Sequence, residues 1–434
     1  MSSLELFLCA IAILGMFPSF TALSQSLYDH LPTLGKYLGP INPLKLVAPL
    51  FFFWVVARRR AFEPRMIRLL LVALAFGTLG TVTGGLGCGG FPPSQLREWF
   101  VIVLGVAAAL SILTFSRGRF SRVLWGWAGV IYGSVILNYL WPTGLNWINA
   151  HFFDPTRQVP LRGESPQFLM GFYDIVSLGK LLVWVPWIVG FALASTWADR
   201  HSTKVQLVLL PLIAVSTGLS LATTQRGPIV GMVGGLGFYF LHRWRVTRDR
   251  QILIGLAALL VMMGAGVALL VPKGMIEQRV MPLFSTEVNF KEKGVEAGGS
   301  PTVAHASVLQ RWRLFELGIS EVSKHPFGHV CTAAEEFQKR GIIEAYHSHN
   351  LFLEQFKSRG WLWGGVHLVL WLLALLQSWK IRNWTGSVLV GGLGTICVMG
   401  LADHPWFVLN HAMILGLFLF GWASPFLRNE AVKS

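Results

Sequence analysis

The sequence predicts an all-α, polytopic membrane protein with about twelve transmembrane helices and a large outer loop containing amphipathic helices. Three observations predict it. The 434 residues are 53% hydrophobic and only 13% charged, whereas a soluble domain is about one-quarter charged. Apolar runs recur at the ~17–25 residues needed to cross a bilayer as a helix. Clusters of Lys and Arg recur between alternate pairs of those runs.

In chain order the candidate spans are 4–24, 41–57, 66–86, 97–115, 122–140, 175–197, 204–225, 227–242, 251–271, 361–379, 386–402 and 409–427. The first reads as a retained span rather than a cleaved signal peptide. The stretch 204–242 divides in two because Arg226-Gly227-Pro228 interrupts it. Gly227, Gly231 and Gly235 then fall on one face of the second part, a small-residue stripe suited to close helix packing. Three parts follow: 1–271 with nine spans and short loops, 272–360 as the large loop, and 361–434 with the last three spans.

The net charge of +15 excludes little by itself, but its placement is informative. Short strips around Arg58–Arg68, Arg117–Arg122, Arg200–Lys204, Arg243–Arg250, Lys380–Arg382 and Arg428–Lys433 hold 18 basic residues against four acids. Short loops rich in Lys and Arg stay cytoplasmic, so the excess is a topology signal rather than a nucleic-acid footprint. Both termini are expected on the cytoplasmic side. The opposite face carries 25–40, 87–96, 141–174, 272–360 and 403–408. Cys88 and Cys331 fall on that face, where pairing is open but not deducible; Cys9 and Cys397 lie within spans as small packing residues.

The loop 272–360 is long enough to expect function. It carries eleven basic and ten acidic residues, so it is not a polybasic tail. Leu309, Trp312, Leu314, Phe315, Leu317, Ile319 and Val322 predict an amphipathic helix, which His325-Pro326-Phe327-Gly328 stops. Asn350 is placed to cap a helix that runs into the tenth span.

The spans hold almost no acids, which argues against a proton- or ion-coupled transporter. The glycine-dense segment 84–90 lacks the Lys-Ser/Thr ending of a nucleotide-binding loop. His347 and His349 are two apart with no third ligand nearby in sequence, a poor metal motif. The outer face instead offers cations: Lys45, Lys180, Arg226, Arg311 and Arg313. Guanidinium groups match phosphate oxygens and stay charged. Neutral imidazole suits proton transfer near neutral pH, so the segment Tyr346-His347-Ser348-His349-Asn350 is the strongest candidate for chemistry.

His349-Asn350, nine residues and Gly360 resemble the signature of the O-antigen ligase and polymerase superfamily of bacterial inner-membrane glycan enzymes. Arg311, fourteen residues before His325-Pro326, is similar to that family's arginine, amphipathic helix and His-Pro turn. Arg226-Gly227 resembles its Arg-Gly pair at the outer end of a middle span. The sequence departs from the pattern at Gly360-Trp361-Leu362-Trp363-Gly364, which is one residue longer than Gly-x-x-Gly, and after His325-Pro326, where the turn is shortened and lacks the second glycine.

The resemblance implies transfer of a glycan from undecaprenyl pyrophosphate to a hydroxyl, inverting at the anomeric carbon, without nucleotide, metal or other cofactor. It implies His349 as general base and Arg226 and Arg311 as pyrophosphate ligands. Asn350 either orients the imidazole or caps the helix; His347 and Arg313 are further candidate contacts. The expected partners are the lipid-linked glycan donor, lipid A core and membrane lipids, with no nucleic acid. The expected location is the Gram-negative inner membrane, with the large loop and the active site on the periplasmic face. The acceptor distinguishes a ligase from a polymerase or a protein O-oligosaccharyltransferase; a lipid-linked glycan transporter and a scaffold are the readings outside enzymology.

Overall fold

The computed structural model describes residues 64–86, 117–148, 150, 175–197, 202–222, 226–248, 251–270, 303–329 and 350–402. Every regular element among them is helical. In order these are α1 (Pro64–Leu86), α2 (Arg117–Leu140), α3 (Pro142–Ile148), α4 (Ile175–Trp197) and α5 (Ser202–Ala222). Then come α6 (Arg226–Thr247), α7 (Gln251–Leu270), α8 (Val303–Lys324), α9 (Leu351–Lys380) and α10 (Trp384–Ala402). The expected spans at 4–24, 41–57, 97–115 and 409–427 lie outside the described residues. Among the described residues, two helices, Leu351–Lys380 and Trp384–Leu401, are long and apolar enough to cross a membrane.

The core forms where α4, α5, α6 and α10 pack together, with α2 and α7 against its sides and α1 against α9. Its largest buried groups include Trp184, Trp187, Tyr239 and Phe191. Tyr239 lies edge-on to both Phe240 and Trp384, with centroids 5.2 Å and 5.8 Å away. Several buried hydroxyls find partners in the apolar interior, although Ser378 Oγ, among the described residues, has none. Thr81, Thr217 and Thr395 each donate to the carbonyl one turn back, and the Tyr132 hydroxyl bonds Ser216. Ser220 Oγ crosses from α5 to the Gly179 carbonyl of α4 at 3.0 Å.

Among the described helices the closest packing is between α6 and α10, and the glycine stripe expected from sequence is its cause. A Cβ on Gly231 would sit 2.6 Å from Met399 Cβ, and one on Gly235 would meet the Gly391 carbonyl at the same distance. Thr395, Val398 and Met399 therefore lie directly on the α6 backbone, which only glycine permits. The pairs Gly231–Met399, Gly235–Gly391 and His242–Ser387 give the register. The two helices run antiparallel, so the start of α6 lies beside the end of α10.

Helix α9 begins at Leu351, ten residues before the expected span, and is broken once. Gly360 has φ 78° and ψ 175°. The break folds the first turns back on the next: Gly364 abuts Phe356, and Trp363 Nε1 donates to Gln355 Oε1 at 2.9 Å. Its cause is the turn after α8. Gly328, also at positive φ (92°), presses its backbone on Arg359 and Gly360. The Trp361 amide donates to the Pro326 carbonyl at 2.9 Å, the His329 amide to the Lys357 carbonyl at 2.8 Å, and Trp361 Nε1 to the Val322 carbonyl at 3.0 Å. Two glycines let the backbones touch, and three hydrogen bonds fix α8 to the break in α9.

Candidate functional site

Asn350 is the anchor. In extended conformation (φ −136°, ψ 119°), it accepts through Oδ1 from the amides of Phe352 and Leu353 at 3.1 and 2.9 Å. These are donors that the first helical turn cannot satisfy within itself. Its Nδ2 donates to the Leu401 carbonyl in the last turn of α10 at 3.1 Å. One side chain thus starts α9 and ties that start to the end of α10, where Leu351 also packs on Gly400. Of the two roles open to Asn350 from sequence, capping is the one seen. Because α6 is antiparallel to α10, Arg226 at the head of α6 belongs to the same end of the bundle.

Below this cap, α9 carries an unusual density of buried polar groups. Gln355, Lys357, Ser358 and Arg359 are all buried. Arg359 Nη1 donates to Gln355 Oε1 at 3.0 Å, and Lys357 Nζ lies 2.9 Å from Glu354 Oε1. The Arg359 guanidinium stands 5.9 Å from the Trp363 ring centre. Gly80 of α1 admits this cluster, since a Cβ there would meet Arg359 and Trp363. Lys180, buried in α4 beside the Gly179–Ser220 contact, is another cation toward the same end. Buried charges are retained only with partners, so this region is a braced cationic framework.

The expected residues distribute as follows. Asn350 stands at the cap, and Arg226 opens α6. Arg311 and Arg313 lie on α8, whose far end is clamped to α9. His347 and His349 lie outside the described residues, as do Lys45, Cys88 and Cys331. His349 immediately precedes the cap in sequence.

Sequence reasoning missed two groups. Gln355, Lys357 and Arg359 read as the flank of a span, and no local pattern signals that they are buried. The second group is Glu321, His325 and His329, whose ligand atoms all lie within 4.8 Å of one another. Its signal is present as Glu-x-x-x-His-x-x-x-His, but the His-Pro pair reads in sequence as a helix stop and a family-like turn rather than as part of a ligand set. The buried face of α8 is Leu314, Leu317, Gly318 and Glu321, while Ile319, counted as apolar-facing, is exposed.

No curated protein matches the chain. Residues 211–366 match the family model described as O-antigen ligase. The matched segment runs from within α5 to just past the break in α9. It contains the head of α6, all of α8, the His-Pro turn and the Asn350 cap, the same elements that carry the sequence resemblance. The match covers 156 of the 434 residues and agrees with the resemblance to the O-antigen ligase/polymerase superfamily read from those motifs.

Proposed function

We propose that the chain is an O-antigen ligase, moving a glycan from undecaprenyl pyrophosphate to a hydroxyl of lipid A core on the periplasmic side of the inner membrane. One observation carries the reading. The matched segment holds Arg226, Arg311 and His349-Asn350 together, and α6 and α9 begin at the same end of α10.

In this reading His349 Nε2 or Nδ1 takes the proton of the acceptor hydroxyl. The oxygen attacks the anomeric carbon from the face opposite the leaving group. The anomeric C–O bond breaks, and its electron pair leaves with undecaprenyl pyrophosphate. A base of this kind contributes about 10²–10⁴-fold. Arg226 and Arg311 bind the pyrophosphate and stabilise the charge that grows on it. His347 and Arg313 are further contacts to the two substrates. Asn350 acts through the backbone: by starting α9 at a fixed place against α10, it fixes the residue that precedes it.

The test uses the purified full chain in detergent, undecaprenyl-pyrophosphate-linked glycan and lipid A core, with no metal or nucleotide added. Glycan transferred to lipid A core, seen as a gel shift and absent with His349→Ala, supports the ligase. Longer glycans still on the carrier would make the enzyme a polymerase instead. No product with folded protein would overturn transfer to either acceptor.

A further inference from the structure

We propose that Glu321, His325 and His329 form a binding site for a divalent transition-metal ion of the zinc class, at the joint between α8 and the break in α9. The site is separate from the transfer reaction and does not depend on its assignment.

Three features support it. Glu321 sits on the buried face of α8 and is only 2% exposed. Its Oε2 lies 3.7 Å from His325 Nε2 and 4.0 Å from His329 Nδ1. These separations exceed hydrogen-bonding distance. They approach the ~3.4 Å edge of a tetrahedron with metal–ligand bonds near 2.0–2.2 Å, so contraction onto an ion, with the imidazole rings turning from their stacked arrangement to aim their in-plane lone pairs at it, would satisfy all three. Second, the cluster is assembled by backbone bonds rather than by chance surface proximity. The His325 amide donates to the Glu321 carbonyl, Gly328 to His325, and His329 to Lys357 across the joint. The two imidazoles lie stacked, 4.2 Å between centroids and 13° from parallel, with ring nitrogens toward one carboxylate. Third, the only other described ion-pair partner of that carboxylate is Lys324, 3.6 Å from Oε1 and half exposed. A divalent ion would compensate the buried charge more fully than one solvated ammonium.

The donor set selects the metal class. Two imidazole nitrogens and one carboxylate oxygen suit zinc, nickel or cobalt, whereas magnesium and calcium take oxygen ligands. Three protein ligands leave one position open. Partly exposed His325 marks the solvent side, where water would complete the shell. Because His329 is bonded to Lys357, the ion would lock the α8 turn to α9.

The experiment uses the full chain, free of any affinity tag, stripped with chelator and dialysed. Zn²⁺ is titrated calorimetrically, with Co²⁺ as a spectroscopic probe of four-coordinate geometry. The variants are Glu321→Gln, His325→Ala, His329→Gln and, to separate the neighbouring histidine pair, His349→Ala. The expected result is one zinc per chain in wild type and in His349→Ala, with the tetrahedral cobalt spectrum. Binding falls to background in Glu321→Gln and His329→Gln, whose near-isosteric side chains preserve the fold as checked by gel filtration. Zinc also raises the melting temperature of wild type but not of these two. Absence of stoichiometric binding in wild type, or binding that survives both substitutions, would overturn the proposal.

Discussion

The two ends of the antiparallel pair α6 and α10 are built on opposite principles. At one end His242 is buried between Ser387 Oγ and the Trp379 carbonyl, at 3.0 and 3.1 Å. Arg243, Arg245 and Arg248 lie over Trp384, Trp379 and Trp244 at 4.9–5.6 Å. There cations stack on aromatic rings, as expected of a basic, interface-facing anchor. At the other end Asn350 caps α9 onto α10, and the buried cations Lys357 and Arg359 are braced by carboxylate and amide. A histidine at the first end is held by packing. The histidine at the second precedes a cap and is the one assigned chemistry.

The sharpest way to break that comparison is to remove one histidine from each end. His349→Ala is expected to lower transfer by about 10²–10⁴-fold while the protein stays folded. His242→Ala should leave the rate per folded molecule near wild type and lower the melting temperature, since it opens a buried hydrogen-bonded position. Rate and thermal stability measured on the same preparations would expose a reversal of this pattern.

Next in size is the joint between α8 and α9. Alanine at Gly360 must adopt φ 78° and also meet the Pro326 carbonyl and Phe327 backbone within 2.9 Å. Positive φ alone costs a non-glycine residue about 1–3 kcal/mol, and the backbone cannot retreat without breaking the Trp361–Pro326 bond. Gly360→Ala should therefore lose much of the folded yield, while Gly365→Ala, which faces open space, should not. Fluorescence-detected gel filtration separates the two outcomes, and equal yields would contradict the clamp.

Third is the glycine stripe. Gly235→Leu inserts a side chain into Thr395 and Gly391, whereas a Cβ at Gly237 meets nothing within 4 Å. Overpacking costs about 1–3 kcal/mol, so the first variant should melt well below the second.

How much of this was legible in the sequence follows from the range of each signal. The stripe on α6 and the Asn350 cap are local patterns, a spacing of four and a side chain of the right type before an apolar run. Both were readable, as were the bounds of α4 and α7 to within a residue. The burial of Glu321, Gln355, Lys357 and Arg359 was not. Their sequence neighbourhood is that of a solvated loop meeting a span, and only contacts with α1 and the His-Pro turn bury them. Ile319 fails for the converse reason: it fits the apolar pattern of α8 but falls on the exposed side of the face chosen by Leu314 and Leu317. The break at Gly360 belongs to the same class. Gly360 stood out as a motif position, yet its conformation is imposed by Gly328, thirty-two residues earlier.

The smallest effect is the one that most sharpens the contrast between the ends. Asn350→Ala removes both the cap and the bond to Leu401, and loss of a cap costs about 0.5–2 kcal/mol. Asn350→Asp keeps an oxygen for the amides of Phe352 and Leu353 but replaces the donor to Leu401 with an acceptor. If Asn350 only caps, Asp should restore stability and transfer together. If the tie to α10 positions the preceding histidine, Asp should restore the melting temperature and leave transfer impaired, with the loss in kcat rather than in KM for the donor. The corresponding change at the opposite end, Arg245→Ala, removes a cation over Trp379 worth about 0.5–1 kcal/mol. It should shift stability slightly and transfer not at all, because nothing at that end sets the position of a reacting group.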